Sequence, residues 1–168
     1  NIVDNISFDI RRGETFVLLG ESGSGKSITA LSIMRLLPSA IKINVGEVIL
    51  NDINLFQLPE NKMRGVRGAN IGMIFQEPQT SLNPVLTAGQ QISETLHQHT
   101  NLSNNQCITH SIELLDAVGI PEPERRINEY PHQFSGGMKQ RIMIAIALAG
   151  EPDLLIADEP TTALDVTI

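Results

Sequence analysis

The sequence contains few of the residues that mark disulfide-rich, metal-binding or membrane-spanning proteins. Cys107 is the single cysteine among 168 residues, so an internal disulfide, a Cys₄ zinc site and a complete iron–sulfur ligand set are all excluded. No apolar run reaches the roughly 20 residues of a transmembrane helix. Lysine and arginine number 12 against 19 aspartates and glutamates, a net charge of -7. This shortage of positive charge argues against a general nucleic-acid binder, which needs a basic face.

Apolar residues are abundant enough for a buried core, at 41% of the chain against 18% charged. This composition argues against disorder, collagen and coiled coil, and the length suits one ordinary domain. The single cysteine fits a reducing, cytosolic setting. Residues 1–10 alternate polar and apolar without a basic stretch, which is not the pattern of a signal peptide. Because the chain starts without Met inside one predicted element and stops inside another, we expect a fragment.

Hydrophobic periodicity predicts strand–loop–helix units towards both ends of the chain, which favour a parallel α/β sheet. The middle of the chain is rich in Gln, Asn, Thr and His and is predicted to be a helical insertion followed by a proline-rich linker at 121–131. Strands are predicted over 2–10, 15–19, 47–50, 71–75 and 153–157. Helices are predicted over 26–37, 88–97, 104–118 and 137–149.

A phosphate-binding loop is predicted where the apolar run 15–19 meets the first helix. The motif G-x-x-x-x-G-K-[ST] is filled by Gly20, Glu21, Ser22, Gly23, Ser24, Gly25, Lys26 and Ser27. Glycines let backbone N–H groups turn towards an anion, and the helix N-terminus adds its positive end. Lys26 would reach the β- and γ-phosphates of a nucleotide, and Ser27 would ligate Mg²⁺. The alternative, a glycine-rich turn that only caps a helix, is less favoured by this context.

Two acids follow the apolar strand near the C-terminal end. Asp158 and Glu159 come directly after Leu154–Ala157, and the carboxyl edge of a parallel sheet is where ligands bind. Asp158 is predicted to hold Mg²⁺, directly or through water, and Glu159 to polarise the attacking water. Such acid pairs are often merely solvated, but together with the phosphate-binding loop they predict nucleotide hydrolysis.

A second phosphate site is predicted at Ser135, Gly136 and Gly137, which open the helix over 137–149. A hydroxyl and unpaired N–H groups at a helix N-terminus suit an anion. Since one chain already has such a site at Gly25 and Lys26, the second has a clear use only if it serves a partner molecule.

The order of these motifs resembles that of ATP-binding cassette (ABC) ATPases: Walker A at 20–27, a Q-loop glutamine at Gln76, the signature at 135–138, Walker B at 154–159 and a D-loop at 163–165. The resemblance implies a P-loop NTPase (RecA-like) core, in parts 1–77 and 135–168, around a helical subdomain at 78–134, as an incomplete nucleotide-binding domain. It implies ATP held between one cassette's loop and the other's signature in trans. Gln76 would contact Mg²⁺ or the attacking water, and Asp165 would lie in the dimer D-loop.

Three segments are similar to one ABC subfamily, the oligopeptide, dipeptide and nickel importers: 75–84, 130–138 and 158–167. The resemblance implies an ATPase bound to a membrane permease at the cytoplasmic face of the bacterial inner membrane. A substrate-binding protein would deliver cargo to that permease, and nucleic acid is not an expected partner. Peptide is the expected cargo. Nickel or another small solute is an alternative, as is a soluble ABC ATPase of DNA repair or translation. A P-loop kinase or GTPase would leave 135–141 and 160–165 without a role.

ABC ATPases also carry a switch histidine after the D-loop and an aromatic residue that stacks on adenine. All histidines of this chain precede Walker B, and Tyr130, the single tyrosine, lies in the signature linker. We therefore expect this stretch alone to bind nucleotide weakly and to hydrolyse little.

Overall fold

A computed structural model describes residues 3–160. The chain divides into two compact units, Asn1–Leu58 and Pro59–Ile168, and each is described by itself. The resemblance implies a core at 1–77 and 135–168 and a helical subdomain at 78–134, and these boundaries stay a prediction.

The first unit is built around one helix and a short hairpin. Helix α1 spans Lys26–Ile33, and strand β1 (Ile49–Leu50) pairs antiparallel with β2 (Ile53–Asn54). A 3₁₀ turn at Leu55–Gln57 follows, in which the Asn54 side chain accepts a hydrogen bond from Phe56 N at 3.0 Å. The strand predicted over 47–50 is therefore present but shorter.

Helix α1 ends earlier than predicted, because the chain turns at Arg35 rather than at Pro38. Arg35 has φ 53°. Its N–H bonds Ser32 O and the N–H of Leu36 bonds Leu31 O, the paired hydrogen bonds of a Schellman motif. The Arg35 side chain donates from Nη1 to Leu58 O at 2.6 Å, which holds this non-glycine residue in the left-handed region.

The prediction of strands over 2–10 and 15–19 is wrong for the described residues. Neither segment forms a strand, and Val17 and Leu19 are 65% and 86% exposed. An apolar run becomes a buried strand only where neighbouring strands supply ladder hydrogen bonds. Instead, the stacked rings of Phe8 and Phe16, with centroids 4.8 Å apart, join the two segments.

The second unit contains most of the regular structure, and its strands β3 and β4 pair in parallel, as the α/β pattern predicts. The strands and the helices predicted over 88–97, 104–118 and 137–149 are confirmed to within about two residues, the usual uncertainty of element ends. The elements are α2 (Glu60–Ala69), β3 (Ile71–Ile74), α3 (Pro78–Ser81), α4 (Ala88–His99), α5 (Asn104–Ala117), α6 (Pro123–Arg126), α7 (Gly136–Leu148) and β4 (Leu154–Ala157).

Helix α2 is absent from the sequence prediction. Two glycines weaken its helical pattern, and the backbone leaves helical geometry at Arg67 and Gly68. Fully buried Met63 ties the helix to the unit. The segment 121–131, predicted as a linker, also contains α6 and a 3₁₀ turn at Pro131–Gln133.

The core of this unit lies on two sides of α7. One cluster joins α7 to α4 and α5 through buried residues that include Ile92, Leu96, Leu115 and Ile142. The other joins Met143 and Ala147 to Ile74 of β3. None of the helices in residues 3–160 is both long and apolar enough to cross a membrane.

Close packing of β3 against α7 depends on Gly72. A Cβ atom at this position would collide with the backbone oxygen of Ala147. The absence of a side chain therefore lets the strand approach the helix backbone directly.

Candidate functional site

The loop before α1 has the geometry of an anion cradle. Gly23 and Gly25 have φ 81° and 95°, a left-handed conformation that costs glycine little. Lys26 Nζ donates to Gly20 O at 2.8 Å and to Glu21 O at 2.9 Å. The ammonium group is therefore held over the loop by the loop's own carbonyls.

The N-terminus of α1 has no side-chain cap. Gly25 is the N-cap and supplies no side-chain cap, so the first N–H groups of the helix need other acceptors. Lys26 and Ser27 occupy the first turn. This places a cation, a hydroxyl and helix N–H groups together, as the motif predicts for a phosphate.

In the second unit, the parallel register brings two predicted residues together. Ile74 pairs with Ala157, and Asp158 N donates to Ile74 O at 2.9 Å. Two residues beyond this last strand pair, Gln76 lies beside Glu159, and Gln76 Nε2 donates to Glu159 Oε2 at 2.7 Å. The predicted Q-loop glutamine and the predicted Walker B glutamate thus form one hydrogen-bonded pair at the carboxyl edge.

Glu159 has an unusual backbone for a residue with a side chain. Its φ is 49°, in the left-handed region that non-glycine residues seldom occupy. Such conformations cluster at functional sites, where the surrounding structure holds them. Glu159 is exposed and Asp158 is half-buried, so the carboxylate pair meets solvent beyond the strand.

The donor chemistry of the predicted residues fits Mg²⁺ with a nucleotide. In the second unit Gln76 offers an amide oxygen and Asp158 a carboxylate, and in the first unit Ser27 offers a hydroxyl; each is a hard oxygen ligand of the kind that Mg²⁺ prefers. Within residues 3–160, no group of three or more His, Cys, Asp or Glu side chains is arranged to hold a metal ion.

Ser135 begins α7, as the predicted signature requires. Its hydroxyl accepts a hydrogen bond from Met138 N at 3.3 Å. A Cβ at Gly136 would meet open space. Gly136 in the first turn of α7 is therefore exposed, and no side chain lies over it.

Two supporting residues have no signal in the sequence prediction. Arg141 donates from Nη1 to Val118 O at 3.0 Å and to Gly119 O at 2.9 Å, which ties the signature helix to the end of α5. Gln91 accepts from Asn83 N and donates to Asn83 O, which joins α4 to the segment after α3. Their roles depend on tertiary contacts, so a motif search cannot find them.

A cleft of about 640 Å³ between α4, α5 and the turn after α7 contains none of the predicted site residues. His99 lines it, and burial lowers the pKa of this imidazole.

Asp165, predicted for the D-loop, lies outside the described residues.

Comparison with known proteins identifies the class of ATP-binding protein that this chain resembles. It is 54% identical over 167 residues to the dipeptide transport ATP-binding protein DppD of Bacillus subtilis, covering 99% of this chain and 50% of DppD. The oligopeptide transport ATP-binding protein OppD of the same species is 52% identical, with 99% and 47% covered. The chain thus spans about half the length of these curated relatives.

Solved structures show the same fold. The ATP-binding cassette MJ0796, in a dimeric post-hydrolysis state bound to ADP and Pi, matches with a TM-score of 0.86 and 34% identity, covering 98% of this chain and 68% of that one. This confirms the predicted ABC cassette fold. A model of the ABC transporter family matches residues 3–162, and the chain therefore belongs to the ABC transporter family.

Proposed function

We propose that this chain is part of the ATP-binding and hydrolysing subunit of an importer that carries peptides across the bacterial inner membrane. The hydrogen bond between Gln76 and Glu159 carries the catalytic part of the proposal. It joins the two residues that would meet the attacking water and the metal. The peptide cargo rests on similarity to DppD and OppD, whose names describe dipeptide and oligopeptide transport.

The chemistry follows from the side chains of the chain itself. Lys26 would neutralise charge on the β- and γ-phosphates, while Ser27 and Asp158 would hold Mg²⁺, which would supply further positive charge to the phosphates. Glu159 would orient or deprotonate the water for in-line attack, and Gln76 would fix the position of that water or the metal. Catalysis in this class consists mainly of positioning and charge stabilisation.

The partners follow from the second anion site. Ser135, Gly136 and Gly137 would bind the nucleotide held by a second cassette, and Asp165 would lie in the same interface. The loop after Gln76 would face a membrane permease, supplied with cargo by a substrate-binding protein. The subunit would then be peripheral to the cytoplasmic face of the membrane, without nucleic acid as a partner.

Two other functions use the same site. An importer ATPase for nickel or another small solute would share every residue above, and only transport assays separate it from a peptide importer. A soluble ABC ATPase of DNA repair or translation is less favoured because such proteins usually carry basic or zinc-binding additions. This chain has a net charge of -7 and one cysteine.

The test is Lys26→Ala in the native gene, with uptake of labelled short peptides by intact cells. We expect uptake to fall to background with unchanged permease levels, because the cation over the loop is lost. Lys62→Ala is the matched control, since Lys62 is an exposed lysine on α2. Unchanged peptide uptake in Lys26→Ala would remove the cargo assignment, and nickel uptake would be measured next.

A further inference from the structure

Gln140 is a buried carboxamide without a partner. Its residue exposure is 0%, and within residues 3–160 neither Nε2 nor Oε1 has a hydrogen-bond partner. Nearly all buried polar side chains in native proteins are paired, and an unpaired one lowers stability. A leucine or methionine at this position would fill the core without an unpaired amide. The presence of glutamine therefore requires an explanation other than packing.

The helical repeat locates Gln140 relative to β3. It lies three, four and seven residues before Met143, Ile144 and Ala147, so all four share one face of α7. That face packs on Ile74 and Phe75.

The direction of α7 then sets the level of the side chain. The backbone oxygen of Ala147 lies against Gly72, and after a short turn α7 leads into β4, which is parallel to β3, so the helix runs antiparallel to β3. The seven residues from Gln140 to Ala147 rise about 10 Å, which corresponds to about three residues of strand. Gln140 is therefore level with Phe75 and Gln76, at the base of the loop that carries the catalytic pair.

We propose that Gln140 is a positioning residue for this loop: its carboxamide hydrogen-bonds the backbone of Phe75–Glu77 when Gln76 leaves Glu159 for the nucleotide-bound metal. The inference rests on the proposed ATPase function. In the structure Gln76 donates an amide N–H to Glu159, whereas a metal ligand must present its amide oxygen. Exchange of the Glu159 contact for the metal would shift the loop backbone, and the Gln140 carboxamide can serve either a backbone N–H or a backbone C=O in the shifted position.

This contact would also connect two sites. Gln140 lies on α7, the helix that begins at Ser135, so the position of the signature would affect the position of Gln76. A partner cassette bound at Ser135 could then favour the rearranged loop.

The test is Gln140→Met in the complete protein, with Gln91→Met as the matched control. Gln91 is also a buried glutamine, 8% exposed, but its carboxamide is paired with Asn83 and Leu86. We measure the melting temperature with and without MgATP, and kcat and KM for ATP.

For Gln140→Met we expect an unchanged or higher melting temperature without nucleotide, because the variant removes an unpaired amide. The rise in melting temperature on adding MgATP should shrink, and kcat should fall about 10-fold with little change in KM, the pattern of a lost transition-state interaction. Gln91→Met should lower the nucleotide-free melting temperature and leave kcat per folded molecule near that of the wild type.

Two results would overturn the inference. One is a nucleotide-free melting temperature that falls as far as in Gln91→Met with kcat retained, which would make Gln140 a structural residue paired in the resting state. The other is a variant identical to wild type in both kcat and MgATP-induced stabilisation. A wild-type protein that hydrolyses no ATP would instead refute the proposed function and, with it, the basis of this inference.

Discussion

At the residue scale, the proposed catalytic pair is defined by one hydrogen bond and one backbone conformation. Gln76 contacts Glu159 at 2.7 Å, and Glu159 has φ 49°. The left-handed backbone turns the chain immediately after β4, and the glutamate lies beside the end of β3 instead of continuing the strand.

Replacing Glu159 by glutamine tests its proposed role as the group that activates water. We expect kcat for ATP hydrolysis to fall about 100-fold or more, the usual range for a lost general base, with ATP binding retained because Lys26 and the loop are intact. Phosphate release and equilibrium binding of labelled ATP measure the two effects.

Glu151→Gln is the control for that substitution, since Glu151 is also exposed and has φ 50°. Its hydrolysis rate should equal that of the wild type. Equal rates in Glu159→Gln and Glu151→Gln would exclude Glu159 as the base.

At the element scale, the contact of α7 with β3 determines where both predicted sites lie. Met143 and Ala147 pack on Ile74, and the helix starts at Ser135 while the strand leads into Gln76. The distance between these elements is small enough that Gly72 leaves no space for a Cβ.

Gly72→Ala should therefore destabilise the protein. The new methyl group would meet the Ala147 backbone, which cannot rotate away, and overpacking of this kind costs about 1–3 kcal/mol. Urea denaturation followed by circular dichroism measures the change in the free energy of unfolding.

Gly65→Ala in α2 provides the contrast, because a Cβ there meets nothing within 4 Å. An exposed helical glycine replaced by alanine should gain about 0.5–1 kcal/mol. A Gly72→Ala protein as stable as the wild type would show that α7 can move away from β3 without loss.

At the scale of the whole molecule, the signature predicts a function that one chain cannot complete. Ser135 caps α7, and a Cβ added at Gly136 would meet open space. An N-terminus of this kind suits a phosphate supplied by another molecule.

Ser135→Ala is expected to have two separable effects. Loss of the N-cap should lower the free energy of unfolding by about 1 kcal/mol. In a complete protein carrying Glu159→Gln, it should also weaken the dimer that forms with MgATP, measured by size-exclusion chromatography with light scattering.

Thr87→Ala separates these effects, since Thr87 caps α4 through Gln90 N. It should cost similar stability and leave the dimer unchanged. The complete protein that carries Glu159→Gln and neither cap substitution should itself dimerise under saturating MgATP. If it stays monomeric, that result would count against two cassettes sharing the nucleotide.

The sequence by itself determined what depends on nearby residues. The predicted phosphate-binding loop needs glycines and a lysine at fixed spacing before a helix, and the start of α7 needs a capping serine. Both patterns are local, and the structure has a helix starting at Lys26 and a serine cap at Ser135. The helices over 88–97, 104–118 and 137–149 follow from apolar residues repeating at the helical period.

Only the tertiary structure decided which distant residues meet. The register of β3 with β4 places Gln76 on Glu159, and the antiparallel approach of α7 puts Gln140 level with that loop. The apolar run 15–19 shows the opposite case, because its composition predicts a strand while ladder partners decide whether one forms. Pairing and burial are properties of the packed chain, since each needs a second segment to provide the hydrogen bond or exclude the water.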